Sequence, residues 1–415
     1  MDDEDSGVPP PEQGQRFRFR VVSPDGRELV SDIAEVLFPA RPQVAPGAGA
    51  QVGASVVRAA ASGPTPGLTT PAFPDTIPTP LVPNAKLQGA LDAAIAAGPG
   101  ARSRTPITIV SLEDDGTRPM ANFNGTDLHF SASLLKVAAM YSAFQLRETL
   151  RAIAVELGAN TSRATLLKEA AAHLDPLIMD KVATIPALKG VKRIHALPQY
   201  KRMFEVTASS SGDGFSVDFS KAFVGGKGHL ERMIAVSDNN SAAECIHGSG
   251  YGFLNGLLQS AGFFDSSTNN GIWLAGDFVG AYPTFRIKSV NDGLVKQATT
   301  TLQMASLFTL LHDRLLVPAA STEMLDLLAA AVAVPEVFIE RASDLDFTVT
   351  RNKLGVAALK PENGGNEVCS EASMLTHDST GREFVVVWQN FIPGRDGFDP
   401  IGHVIRDTIR GFIAP

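Results

Sequence analysis

A serine and a lysine three residues apart are the strongest candidates for chemistry in this sequence. Ser133 and Lys136 stand in the apolar stretch FSASLLKVAAMYSAF. Residues i and i+3 of a helix share one face, so we expect the hydroxyl and the amine to lie side by side. Burial lowers the pKa of a lysine, and a neutral amine can take the proton of the serine, which then becomes a nucleophile. The alternative for the pair alone is a surface lysine near a capping serine.

Two further polar motifs follow along the chain. Ser237, Asp238 and Asn239 end an apolar run just before a helix restarts, and the sequence KLG begins at Lys353 inside a predicted strand. Taken singly, the first is typical of a helix N-cap, and the second of an edge strand that a lysine protects from aggregation. Taken with the serine and lysine, they indicate one shared site.

The order S-x-x-K, S-D-N and K-[TS]-G is the signature of class A β-lactamases and penicillin-binding proteins. From about residue 84 to 415 the chain resembles this superfamily of active-site serine acyl-transferases. The resemblance implies that Ser133 is the nucleophile that forms an acyl-enzyme and that Lys136 is the base that activates it. It also implies that Ser237 relays a proton to the leaving group.

The remaining roles also follow from the resemblance. Asn239 is expected to hold the substrate amide and the Lys136 side chain, and Lys353 to bind a substrate carboxylate. Gly355 is expected to line the substrate site. The backbone N–H groups of Ser133 and Val356 form the expected oxyanion hole, in which each donor is worth about 2.7–4 kcal/mol of barrier lowering.

The sequence departs from the family pattern at two functional positions. Leu354 replaces the Thr or Ser of the third motif, so we expect weakened recognition of penicillin-like acids. The family's water-activating glutamate is absent, because the chain has no glutamate between Glu244 and Glu323. The carboxylates nearest to its expected place are Asp277 and Asp292. We therefore predict weak or absent β-lactam turnover.

The motifs need a scaffold, and the pattern of elements predicts an α+β fold. Two strands follow the first helix, a mostly helical block runs from about 131 to 340, and three strands and a helix close the chain. We expect a β-lactamase/transpeptidase-like architecture, in which a five-stranded antiparallel sheet is flanked by helices and faces an all-helical lobe. A polar insert near Ser209–Gly228 is interpreted as a surface excursion, with a lid as the alternative.

Residues 1–83 are predicted to be an N-terminal extension, and residues 84–415 the serine hydrolase domain. Gln15–Val22 alternates polar and apolar residues before the turn signal Ser23–Gly26, which predicts a short hairpin. The tract from Arg41 to Pro83 is rich in Pro, Gly and Ala and predicts a linker.

Composition excludes several classes of partner. The formal net charge is -8 and the pI about 5.5, which argues against nucleic acid. No apolar run is long enough for a membrane span. No signal peptide is recognisable, so the chain as written would be cytoplasmic, although the family is usually exported, and the location stays unknown. Cys245 and Cys369 are expected to be packed thiols, with one disulfide left open. We expect no metal and no cofactor.

The sequence therefore predicts a serine hydrolase or acyl-transferase that acts on amides or esters, with a β-lactam-like or peptidoglycan-peptide-like small molecule or peptide as substrate. Two alternatives remain open at this stage. One is a catalytically impaired binding or sensing module of the same fold, and the other is a general esterase. The natural substrate and the oligomeric state are not determined by the sequence.

Overall fold

The computed structural model describes residues 67–98, 105–158, 161–208, 214–332 and 337–415, together with the backbone of four short strands between residues 15 and 36. The chain divides into two compact units, Met1–Ala59 and Ala60–Pro415. In the first unit, strand β1 (Gln15–Phe17), β2 (Arg20–Val22), β3 (Glu28–Val30) and β4 (Ala34–Val36) form the antiparallel pairs β1–β4 and β2–β3. The pair β2–β3 flanks the predicted turn Ser23–Gly26, which lies outside the described residues.

The described part of the second unit begins with an extended segment, residues 67–83, that lies against the helical lobe. Thr69 and Thr70 hydrogen-bond the Glu156 carboxylate, and Phe73 stacks on Phe253 with ring centroids 5.6 Å apart. The end of the tract expected to be a linker is thus bound to the lobe. Next come β5 (Val82–Pro83), α1 (Ala85–Ala97), β6 (Ile107–Leu112) and β7 (Pro119–Phe123).

The helical lobe surrounds α2, whose first nine residues are all buried. Its elements are α2 (Lys136–Leu157), α3 (Arg163–Ala183), α4 (Arg193–Ala196), α5 (Tyr200–Met203), β8 (Phe204–Ala208), β9 (Phe215–Phe219), α6 (His229–Ala235), α7 (Asn239–Ser249), α8 (Tyr251–Ser260), β10 (Phe264–Asp265), β11 (Asn270–Gly271), β12 (Trp273–Leu274), β13 (Ile287–Ser289), β14 (Gly293–Val295), β15 (Gln297–Ala298), α9 (Thr301–His312) and α10 (Ser321–Val332).

The polar insert of the sequence analysis overlaps a small hairpin. Strands β8 and β9 pair antiparallel, and the Phe219 ring meets the Phe144 ring of α2 at 5.1 Å. The residues at its tip, 209–213, lie outside the described ranges. The strands of this hairpin are therefore part of the lobe's packing.

The chain ends with β16 (Phe347–Ala358), β17 (Glu367–His377), β18 (Glu383–Phe391) and α11 (Asp399–Ile413). One six-stranded sheet has the order β16-β17-β18-β6-β7-β5. All its neighbours are antiparallel except β5 and β7, which pair in parallel. One face of the sheet packs on the helical lobe and the other on α1 and α11. The predicted α+β fold is confirmed, and the two-residue β5 adds a sixth strand to the five predicted.

Candidate active site

Ser133 lies in a tight 3-10 turn, Ala132–Leu135, which leads directly into α2. The residue before it, Ala132, has a φ of 46°. A left-handed backbone at a non-glycine residue costs about 1–2 kcal/mol, and such strain persists where the surrounding structure holds it in place. The turn leaves the Ser133 side chain half-buried, at the edge of the lobe.

The Lys136 side chain is fully buried and reaches the turn between α6 and α7. Its Nζ donates to the Ser237 carbonyl oxygen, to Ser237 Oγ at 3.2 Å and to Asn239 Oδ1 at 2.7 Å. Burial lowers the pKa of Lys136 to about 8, against the opposing charge of Asp238. With that pKa, about a tenth of the molecules carry a neutral amine at pH 7 and about half do at pH 8.

These partners leave the neutral amine able to act as a base. Two of them, the Ser237 carbonyl and the Asn239 side-chain carbonyl, only accept hydrogen bonds, and they occupy the two N–H groups of a neutral amine. The lone pair remains available for a hydroxyl proton, and the hydroxyl in contact is that of Ser237. Within the described residues, no hydrogen bond joins the Lys136 amine to the Ser133 hydroxyl, although the two share one helical turn.

The Ser237 turn is held in place by its own sequence. Helix α6 ends at Ala235, and Asp238 caps α7 by accepting from the Ser241 backbone N–H at 2.7 Å. Ser237 itself has a φ of 56°, which aims its carbonyl and hydroxyl at the Lys136 amine. The turn therefore delivers both groups from a fixed backbone.

Strand β16 closes the other side of the site. A β-carbon placed on Gly355 would collide with the Ser131 carbonyl oxygen and lie 2.8 Å from Leu134 N and 3.2 Å from Ser133 N. Glycine is therefore required for this close approach. Alternation along a strand puts Lys353 on the same face as Gly355, and Lys353 is 2% exposed.

The residue between them, Leu354, packs with Val356 against the core on the opposite face of the sheet. It therefore contributes to the packing of the sheet. Position 354 offers no hydroxyl to a ligand.

A loop after β12 contributes a residue that the sequence analysis missed. Phe278 places its ring with the centroid 4.8 Å from the Lys136 amine. The neighbouring Asp277 is fully buried, and its carboxylate bonds His247 Nε2 at 2.9 Å and the backbone N–H groups of Gly280 and Tyr282 at 2.7 and 2.8 Å. Asp277 thus shapes the loop, and Phe278 faces the amine.

Asp292, the other carboxylate considered from the sequence, is also bound elsewhere. It accepts from the Lys360 backbone N–H at 2.8 Å and from Asn363 Nδ2 at 3.0 Å. Both candidates for a water-activating carboxylate therefore have structural partners. The sequence held no signal for Phe278 beyond its position next to Asp277.

The structure thus brings Ser133, Lys136, Ser237 and Asn239 to one place and sets β16 against the turn that carries Ser133, here called the nucleophile turn for the role expected of Ser133. Cys245 and Cys369 are both free and buried. Within the described ranges, no group of three or more His, Cys, Asp or Glu side chains could hold a metal ion. None of the described helices combines the length and apolar character that crossing a bilayer requires.

Solved structures provide matches to this chain, whereas no protein-family model and no curated protein matches it. A β-lactamase from Chitinophaga pinensis has 13% identity and a TM-score of 0.43, over 79% of this chain and 97% of that one. PBP-A has 16% identity and a TM-score of 0.44, over 82% of this chain and 98% of that one. The TLA-1 extended-spectrum β-lactamase has 13% identity and a TM-score of 0.47, over 79% of this chain and 98% of that one.

The matched proteins are β-lactamases and PBP-A. At this identity the similarity concerns the fold. The chemistry of the site rests on the chain's own residues.

Proposed function

We propose that this chain is a serine hydrolase or acyl-transferase that forms an acyl-enzyme on Ser133 with amide or ester substrates. The observation that carries the proposal is the buried Lys136 amine. Burial lowers its pKa to about 8, and it lies on the same helical turn as Ser133, in contact with a second hydroxyl at Ser237. A surface lysine beside a capping serine would be neither buried, with a lowered pKa, nor in contact with Ser237.

In the proposed acylation, Ser133 Oγ attacks the substrate carbonyl carbon while its proton passes to the Lys136 amine, directly or through the Ser237 hydroxyl. The oxyanion of the tetrahedral intermediate accepts from the backbone N–H groups of Ser133 and Val356. Ser237 then protonates the leaving nitrogen or oxygen as the bond to the carbonyl carbon breaks. Asn239 and Lys353 are assigned to substrate binding, and the intermediate is an ester of Ser133.

The proposed fate of that ester follows from the loop of Phe278. Hydrolysis needs a placed water and a base, and the carboxylates of Asp277 and Asp292 are already bound to other groups. The ring of Phe278 lies where a water beside the Lys136 amine would stand. We therefore infer slow release to water, so that the ester is long-lived or passes to an amine, which forms a new amide and restores the serine.

The alternative is a binding or sensing module that recognises a ligand in the same cleft without reacting with it. The lack of a hydrogen bond between Lys136 and Ser133 in the described structure favours this alternative. Labelling with a fluorescent penicillin and a fluorophosphonate separates the two, with Ser133→Ala as the comparison. Labelling that disappears in the variant supports the acyl-enzyme, and no labelling of the wild-type chain by either probe contradicts it.

A general esterase is the remaining alternative within the same chemistry. A half-buried serine beside a neutral amine does not distinguish esters from amides, and Leu354 removes one contact expected for a carboxylate. Chromogenic esters and matched amides, compared at equal concentration, measure the preference directly. Turnover of esters alone assigns the esterase.

A further inference from the structure

A polar cavity of about 350 Å³ lies beside the candidate active site. Amide side chains from four parts of the chain line it. Asn124 follows β7, Asn291 lies between β13 and β14, Asn363 and Asn366 belong to the connection between β16 and β17, and Asn390 lies near the end of β18. The ring of His129, four residues before Ser133, also lines the cavity.

The cavity shares its walls with the elements that form the site. The Asn291 side chain is hydrogen-bonded to both backbone groups of Phe130. Its Oδ1 accepts from the Phe130 N–H at 2.8 Å, and its Nδ2 donates to the Phe130 carbonyl at 3.3 Å. The same Nδ2 donates to Asn390 Oδ1 at 3.0 Å. Phe130 immediately precedes the turn that holds Ser133, so this wall of the cavity and the nucleophile turn are joined.

The lining selects against anionic ligands. Among the described residues that line the cavity there is no lysine or arginine, and Asp127 is the one carboxylate. The His129 ring bonds the Asp127 carbonyl through Nδ1 at 3.1 Å, so Nδ1 carries the proton and Nε2 is left as an acceptor. Burial lowers the pKa of His129, which keeps the ring neutral. An anionic ligand would find no cation to pair with.

Two of the amides have unused capacity on the cavity side. Asn363 donates through Nδ2 to Asp292, which leaves its oxygen as an acceptor, and the exposed Asn366 side chain makes no hydrogen bond within the described part of the chain. A side-chain amide both donates and accepts, which matches the N–H and C=O of another amide. Val290 and Ile392, which are 67% and 49% exposed, add small aliphatic surfaces at the rim.

We propose that this cavity binds a neutral ligand that presents a secondary amide with a small apolar substituent, the group shared by N-acetylated sugars and by peptides. The inference goes beyond the proposed acylation and does not depend on it, because binding here requires neither the Ser133 hydroxyl nor the Lys136 amine.

Ligand-observed saturation-transfer NMR on the full chain with Ser133→Ala tests the site without turnover. The ligands are N-acetylglucosamine, N-acetylalanine methylamide and glucose, which lacks the acetyl amide and is likewise uncharged. We expect at least one acetylated ligand to bind and glucose not to bind. Binding of N-acetylglucosamine alone indicates a sugar ligand, and binding of N-acetylalanine methylamide alone indicates a peptide. Binding of both shows that the cavity recognises the amide that they share.

The variants Asn366→Ala and Asn363→Ala/Asn366→Ala, both at exposed positions, locate the binding. Because one or two hydrogen bonds are lost, the double variant should bind at least about fivefold more weakly. Asn240→Ala, which changes an exposed asparagine on α7, is the matched control. Circular dichroism checks that each variant is folded. The proposal is overturned if neither acetylated ligand binds, if glucose binds equally well, or if the double variant binds like the control.

Discussion

Gly355 of β16 packs so closely against the nucleophile turn that a β-carbon would stand 2.8 Å from the backbone nitrogen of Leu134. This spacing couples the sheet to the helical lobe at the point where the substrate carbonyl is proposed to bind. The turn and the strand each supply one backbone N–H to the proposed oxyanion hole. Their separation therefore determines whether both donors reach the same oxygen.

Gly355→Ala is expected to slow acylation of Ser133 by about 10²–10³-fold, since losing one oxyanion donor costs about 2.7–4 kcal/mol. The methyl group forces β16 away from the turn. The labelling rate with an acylating probe measures the effect. Gly89→Ala is the matched control, because a β-carbon at Gly89 meets nothing within 4 Å. Equal labelling rates in the two variants would contradict the assigned role of β16.

The acylation rate should rise with pH and level off above about pH 9. The reactive form is the neutral amine of Lys136, whose pKa burial lowers from 10.5 to about 8, so the neutral fraction grows as pH increases through that value. Asp238→Asn should shift the midpoint to lower pH, since the Asp238 charge raises the lysine pKa and asparagine still caps α7. A rate that is flat or falls with pH would exclude Lys136 as the base.

Phe278→Ala is expected to shorten the lifetime of the acyl-enzyme several-fold. Removing the ring opens the Lys136 amine to water, and the same loss of burial should raise the lysine pKa and move the acylation midpoint to higher pH. Decay of the adduct mass after removal of free probe gives the lifetime. Val279→Ala, the exposed neighbour on the same loop, is the control. An unchanged lifetime and midpoint would show that the ring does not shield the site.

Wild-type turnover of β-lactams is expected to be weak. The carboxylate of Asp277 is bound to His247 and that of Asp292 to the Lys360 backbone, so neither is available to activate water. Hydrolysis followed by absorbance of the β-lactam ring measures it. Release at about 10² per second, a rate typical of good enzymes, would refute the inferred slow deacylation.

Glu371 makes stability depend on pH. It is fully buried, where it accepts from the Ile339 N–H, from Asn352 and from Ser373, and burial raises its pKa from 4.5 to about 8. Between pH 4.5 and about 8 the unfolded chain releases this proton and the folded chain retains it. The stabilising contribution of Glu371 to the free energy of unfolding is therefore fully present below pH 4.5 and is lost as pH rises through about 8.

Glu371→Gln removes this pH-dependent loss of stability, because glutamine has no carboxyl proton to release. The Asn352 side chain can turn its amide oxygen toward the N–H donors of the new glutamine. The melting temperature of the variant relative to wild type should therefore increase by a few degrees between about pH 5 and pH 8. Thermal unfolding of both chains across this range provides the comparison. A difference that stays constant or decreases would contradict a buried, protonated Glu371.

The sequence predicted the helices, the strands and the order of the motifs because each depends on local spacing. The polar cluster Ser237, Asp238 and Asn239, typical of a helix N-cap, is a local signal of this kind, and Asp238 does cap α7. Ser133 and Lys136 were predicted to be neighbours for the same reason.

The contacts that the sequence did not predict depend on tertiary packing. The loop that brings Phe278 to Lys136 is fixed by the buried bond between Asp277 and His247, two residues far apart along the chain. From the sequence, Asp277 was a candidate near the catalytic water, whereas folding gives it a structural role. The burial of Glu371 was hidden because β17 is buried on both faces, so its strand pattern has no exposed face to compare.

The most direct test is intact-protein mass spectrometry after incubation with a penicillin, a fluorophosphonate and an activated ester, followed by peptide mapping. We predict one adduct per chain with at least one probe, located on the peptide that contains Ser133, absent in Ser133→Ala and formed much more slowly in Lys136→Ala. An adduct that maps to another residue, or that persists in Ser133→Ala, would contradict the assignment of Ser133 as the nucleophile.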